Sequence, residues 1–285
     1  MNIANDSEIL YSDTSFVETK ELIFNGKIIL ITNCEKSKEL AAFAISFLQK
    51  YLKTENIREF EHKVPREKFF ETLSTIKPIF SNQPETRKFV KSILNERSFN
   101  TETIFFDLVR LRSITSYAHT ISAAKPAFAI HRDTWYANPE AQINWWIPLF
   151  DVDEKDTFSF YPDYFSRPVK NNSNEFEYSK WNMAGGFQST QIDKERIFPE
   201  VTEEMNRKNE LKIPCKGGDL LLFSASHLHG TTPNLTNHTR FSLDFRTVDT
   251  LDLTRPCAPN VDNKSTGSIL IDMLSAKTFH RYQYI

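Results

Sequence analysis

From about Thr103 onward the chain repeats one pattern, short aromatic or β-branched runs separated by polar turns. Residues 104–114, 127–131, 142–150, 157–161, 219–225 and 240–248 all follow it. Runs of this length and composition read as strands. Without interleaved helices, strands in this number predict a closed or double-sheet architecture. The expected fold is a double-stranded β-helix core, jelly-roll or cupin-like, with a mainly helical first third. With 40% hydrophobic residues, 13% aromatics and 24 Phe, the chain can bury a sizeable core.

The helical flank is expected over residues 1–102. Leu40, Phe43, Ala44, Phe47, Leu48, Tyr51 and Leu52 recur at helical spacing, so 37–52 reads as an amphipathic helix. Helices are also predicted over 66–76 and 85–95, with Pro65 and Pro84 at or just before their first turns. Pro78 is expected to stop the earlier one. Residues 21–32 read as a hairpin turning at Asn25-Gly26. Residues 162–186 show neither period and read as a long loop with one helical turn, a candidate lid. No linker is evident, so 1–285 is taken as one domain. Its parts are the helical flank, a core over 103–250 and a C-terminal extension over 251–285.

Charge narrows the function classes. Lys+Arg 35 against Asp+Glu 37 leaves a net −2, without the basic excess of a nucleic-acid footprint. No apolar run is long enough to span a membrane, so no membrane partner is expected. The opening MNIANDSEIL lacks a signal peptide's basic and apolar regions. Cys34, Cys215 and Cys257 are odd in number and show no Cys-x-x-Cys spacing. Free thiols in a reducing cytoplasm are expected.

Two segments carry chemistry. In Ala129–Trp135, a strand would project His131 and Asp133 from one face, with Arg132 opposed. Far downstream, Gly217-Gly218 forms a tight turn feeding the apolar run Leu220–Phe223, which delivers Ser226-His227-Leu228-His229-Gly230. Glycine is scarce, 7 where average usage gives roughly 20, so each one more often marks a required backbone shape. His-x-Asp with a distant His forms the two-His, one-carboxylate triad that leaves positions on Fe(II) open. Arg240, eleven residues after His229, offers a two-pronged donor for a dicarboxylate.

Taken together, these motifs resemble the phytanoyl-CoA dioxygenase-like branch of the Fe(II)/2-oxoglutarate oxygenases. Gly218-Asp219, Leu220–Phe223, His229-Gly230, Asn234 and Arg240 match that branch's pattern, within a resemblance covering roughly residues 104–248. The resemblance implies Fe(II) held by His131, Asp133 and His229, with 2-oxoglutarate as co-substrate on Arg240 and Ser242. Trp146 matches an aromatic that lines the co-substrate in some relatives, and Asn144 shares its strand face. The implied reaction uses O2, releases succinate and CO2, and hydroxylates a small-molecule substrate. Related halogenases replace the carboxylate with Gly or Ala, so a retained Asp133 favours hydroxylation, with desaturation or cyclisation open.

Other residues keep two readings. His227 shares strand parity with His229 and is either a metal-facing alternative or a second-layer, substrate-contacting group. Gln142, Asn144 and Trp146 share one face, where the amides bond either a ligand or loop backbone. Trp135 and Tyr136 either wall a substrate pocket or pack in the core. Arg112, with Arg110, either holds a substrate carboxylate or lies on a solvated edge. Arg246, 17 residues after His229, is either a rival to Arg240 for the co-substrate or a structural ion pair. A small polar, amino-acid-like metabolite is the expected substrate. The rivals are a non-catalytic or zinc-bound β-sandwich binder, a cupin-like metalloenzyme working without 2-oxoglutarate, and a JmjC-like hydroxylase acting on a protein.

Overall fold

The computed structural model describes residues 9–11, 16–185 and 197–283. The first part contains β1 (Ile9–Tyr11), α1 (Phe16–Phe24), β2 (Ile28–Ile31), α2 (Glu35–Leu52), α3 (Phe60–Lys63), α4 (Arg66–Ser81) and α5 (Pro84–Glu96). Then come β3 (Ile104–Phe106), β4 (Arg110–Ile114), β5 (Gln142–Pro148), β6 (Phe158–Phe160) and α6 (Tyr178–Met183). The chain continues through β7 (Leu211–Lys212), β8 (Leu220–Ser224), β9 (His229–Thr231), β10 (Arg240–Asp249) and β11 (Leu274–Ser275). One sheet runs β1-β2-β8-β5-β10-β3-β11, with β4 also paired to β10, and a smaller one runs β7-β6-β9. Among these, β1 lies parallel to β2 and the other pairings are antiparallel. The result is a mostly antiparallel β architecture with flanking helices.

Strand alternation sorts the large sheet into two faces. Phe241, Leu243 and Phe245 of β10 and Ile143, Trp145 and Ile147 of β5 join Leu40, Phe47, Phe69, Phe80 and Ile93 in one core under the helices. The alternate residues Asn144, Trp146, Arg240, Ser242, Asp244 and Arg246 line a cavity on the opposite face. Further along that face, Leu221 and Phe223 pack with Phe160 and Ile213.

Four local expectations are corrected. The 21–32 hairpin is instead the end of α1. Gly26 N–H bonds Ile23 O at 3.1 Å and Lys27 N–H bonds Leu22 O at 2.9 Å, the double bond of a Schellman cap. Gly26 takes φ +90° there, so Asn-Gly stops a helix rather than turning a hairpin. Pro78 does not end α4. The helix continues because it buries Phe80 against Phe43 and Phe47, with ring centroids 6.0 and 5.2 Å away.

Residues 104–114 form two strands, not one. Phe106 pairs with Thr247 and Arg110 with Asp244, so residues 107–109 stand opposite only 245 and 246. That extra residue is a β-bulge, and it reverses side-chain parity. Phe106 therefore faces the helical core while Arg110 and Arg112 face the other way. Residues 127–131 are not a strand either. Ser122–Phe128 is a 3-10 turn, and His131 makes a single bridge to His229.

Candidate metal and co-substrate site

The bridge between His131 and His229 is reciprocal, each N–H donating to the other's carbonyl at 2.9 Å. Directly opposed residues of an antiparallel pair project to the same side, which sets the two imidazoles together with centroids 4.5 Å apart. Gly230 allows this approach, since a Cβ there would lie 3.3 Å from Ile130 Cγ1 and 3.5 Å from Ala129 O. His131 Nδ1 lies 2.9 Å from Ala129 O, and His229 Nδ1 lies 2.9 Å from His227 O. A carbonyl only accepts, so Nδ1 of each ring donates and the neutral tautomer these bonds select leaves Nε2 for a metal.

Asp133 arrives by another route than strand parity. It opens the 3-10 turn Asp133–Tyr136, and Asn138 Nδ2 ties its carbonyl at 2.6 Å. Its Oδ1 lies 3.5 Å from His131 Nε2 and 4.0 Å from His229 Nε2. The other oxygen, Oδ2, accepts from Gln142 Nε2 at 3.3 Å and pairs with Arg246 Nε at 3.4 Å. One ligand atom from each of His131, Asp133 and His229 lies within 4.8 Å of the others. Burial raises the Asp133 carboxyl, but Arg246 and the imidazoles outweigh it and hold it below the usual range. Burial, with His131 alongside, pushes His229 down to about 3. Two imidazoles and one carboxylate are a donor set for a divalent transition metal.

The triad lies in the wall of a cavity of about 280 Å³. Asn144, Trp146, Arg240 and Ser242 line the same cavity. Each has a buried atom without a hydrogen-bond partner among the described residues: Asn144 Nδ2, Trp146 Nε1, Arg240 Nε and Ser242 Oγ. Arg240 Nη1 donates to the Asp156 and Thr157 carbonyls at 2.8 and 3.1 Å, and the guanidinium stacks near Trp146 and Phe158. Burial pushes Arg240 down to about 10. Unmet buried donors are costly, so such a cluster suits an anionic, many-acceptor ligand. Asn234 ties the turn before β10 to the end of β4, through Nδ2 to His238 O at 2.8 Å and Ile114 O at 2.9 Å.

Of the residues expected to meet substrate, Tyr136 and Arg112 line the cavity. Arg112 grips Asp244 through Nε at 2.5 Å and Nη2 at 3.1 Å. Trp135 is fully buried in a second apolar cluster, with Nε1 on Asp262 at 2.8 Å, and packs there instead of walling the cavity. His227 is away from the cavity as well. Its Nδ1 accepts from Ser224 N–H and its Nε2 donates to Gly26 O, both at 3.1 Å. Gln142 touches no open space but holds Asp133 and Asn144 Oδ1, the latter at 2.9 Å. Residues 162–185 pack with Trp135 and Tyr136 and line none of the cavity, while Gly186 lies outside the described residues. Among the described residues, Lys77, Pro126 and Ala127 join His131, Asp133 and Tyr136 as walls from outside the sheets, beside Ser113 and Ile114 of β4. Sequence spacing gave no signal for Lys77 or for the Asp107–Arg246–Asp133 contact, which depend on long-range pairing.

A two-His, one-carboxylate cluster beside unmet donors defines the class as a non-haem metal oxygenase site. The phytanoyl-CoA dioxygenase (PhyH) family model matches residues 34–242. This chain belongs to that family, whose members are Fe(II)- and 2-oxoglutarate-dependent oxygenases, and its cofactors are ferrous iron and 2-oxoglutarate. Comparison with curated proteins gives no match. Among solved structures, EvdO2 from Micromonospora carbonacea var. aurantiaca aligns at 12% identity, covering 84% of this chain and 93% of its own, with TM-score 0.49. Its complex with 2-oxoglutarate aligns at 13% identity with the same coverage and TM-score. The 2-oxoglutarate-dependent epimerase SnoN from nogalamycin biosynthesis aligns at 13% identity, covering 82% of this chain and 83% of its own, with TM-score 0.42. No helix among the described residues is long and apolar enough to cross a membrane.

Proposed function

We propose that this oxygenase hydroxylates an unactivated C–H bond of a small polar metabolite or natural-product intermediate, amino-acid-like in character. Bound iron and 2-oxoglutarate supply the oxidising chemistry, in which O2, 2-oxoglutarate and R–H give R–OH, succinate and CO2. His131, Asp133 and His229 hold the ion, and their Nδ1 bonds to backbone carbonyls fix the ring orientation. Gln142 and Arg246 hold Asp133 Oδ2, leaving Oδ1 turned toward the imidazoles. Arg240 and Ser242 take the distal carboxylate of 2-oxoglutarate, with Asn144 and Trp146 beside it. Tyr136, whose ring lies 5.3 Å from that of His131, and Arg112 face the substrate.

One observation carries this reading. Four buried polar atoms without partners among the described residues belong to side chains lining the cavity that holds the triad. The cavity's size and charged lining support a small polar substrate. The two-sheet arrangement supports a double-stranded β-helix within one domain, and free Cys34, Cys215 and Cys257 suit a reducing cytoplasm.

Anaerobic Fe(II) plus 2-oxoglutarate should give a weak visible charge-transfer band in the wild-type protein. Arg240→Ala should raise the 2-oxoglutarate concentration at half-saturation roughly 10- to 150-fold, the loss of one charge-assisted contact. An unchanged titration rejects the co-substrate assignment. A metabolite screen for substrate-stimulated succinate, with product mass gain of one oxygen, tests hydroxylation itself.

A further inference from the structure

Charge balance in the cavity leaves a cation over. Among the described residues its lining holds Lys77, Arg112, Arg240 and Arg246 against Asp133 and Asp244. Arg112 occupies Asp244 with a two-pronged grip. Arg246 spans Asp133 and Asp107, at 3.4 and 3.2 Å. That leaves Arg240, which reaches only backbone carbonyls among the described residues, and Lys77, which has no hydrogen bond or ion pair there. Arg240 is assigned to 2-oxoglutarate above.

Lys77 sits near the C-terminal end of α4, which packs against β4 and so sets the lysine beside Arg112. The side chain is half-buried. Burial pushes its ammonium down to about 8, and the Arg112 charge adds to this while Asp244 opposes it. A partly desolvated ammonium next to a guanidinium is unfavourable until an anion arrives. We propose that Lys77 binds a carboxylate of the substrate, on the side of the cavity marked by Arg112 and Asp244. This rests on the oxygenase reading and narrows its substrate to a small organic acid.

The test uses anaerobic Fe(II)-loaded protein with saturating 2-oxoglutarate, so that Arg240 is occupied. Butyrate, hexanoate and 3-phenylpropionate are each titrated against their amides. Binding is read from the fluorescence of Trp146, whose side chain lines the cavity. At least one acid should bind tenfold or more tightly than its amide. Lys77→Met should erase that preference, and Lys77→Arg should retain it. The proposal is overturned by the absence of any preference in the wild type, by its survival in Lys77→Met, or by its loss in both variants. A 2-oxoglutarate titration that matches wild type in Lys77→Met shows the fold intact. If 2-oxoglutarate gives no Arg240-dependent signal, the oxygenase reading fails separately, and the acid-to-amide ratio is still read without it.

Discussion

Arg246 holds two buried carboxylates at once. Its Nε faces Asp133, its Nη1 faces Asp107, and its backbone N–H donates to Asp107 Oδ1 at 2.7 Å. Burial lowers this guanidinium's pKa, but Asp133, Asp107 and Asp244 outweigh it and raise it. The arginine thereby links the β-bulge to the metal-facing carboxylate. Removing one partner of a buried ion pair strands the other charge, which costs about 3–5 kcal/mol. Arg246→Met should lower the unfolding free energy of the metal-free protein, read from urea titration, by an amount in that range. A loss under about 1 kcal/mol would show that Asp107 and Asp133 are solvated without it.

At the level of elements, the site is the meeting of a 3-10 turn, a bridge and a short strand. Gly230 lies at that meeting, where the Ile130 side chain would stand 3.3 Å from a Cβ and the 129–130 backbone at van der Waals distance. A branched side chain there has to push Ile130 away and widen the His131–His229 bridge. Gly230→Val should weaken Fe(II) binding about tenfold or more, the scale seen when groups orienting metal ligands are disturbed. Isothermal titration under anaerobic conditions, with circular dichroism confirming an unchanged fold, checks it. The bulge after β3 works at the same scale. Its extra residue sends Arg110 and Arg112 toward Asp244 while Phe106 stays in the helical core.

Across the whole molecule, two buried histidines set the acid limit. Burial pushes His227 down to about 4 and His229 to about 3, whereas an unfolded histidine titrates near 6.5. Below about 6.5 the unfolded chain therefore binds protons the folded one refuses. Stability of the metal-free protein should fall as pH drops from about 6.5 toward 4, by up to about 1.4 kcal/mol per pH unit per histidine. Asp133, held low, adds stability above the ordinary carboxylate value and loses it only in stronger acid. Denaturation midpoints across that range should show the slope, and His227→Gln should reduce it by about one proton. An unaltered slope in that variant would assign the effect elsewhere.

What the chain determines locally is what its sequence displays. Alternation fixed which face of β5 and β10 is apolar, and a helical repeat marked α2, because both follow from backbone geometry over neighbouring residues. The His-x-Asp and His-Gly segments with Arg240 at its spacing are local in the same sense, and the structure brings all of them to one cavity. Tertiary structure decided the rest. Whether Asn25-Gly26 turns a hairpin or caps a helix depended on the packing of α1, and Pro78 stayed helical because Phe80 had a core to fill. Arg246 found Asp133, and Lys77 reached the cavity, through pairings between distant strands and a helix. Such contacts have no period and no spacing, since the energy that selects them exists only once the elements are packed.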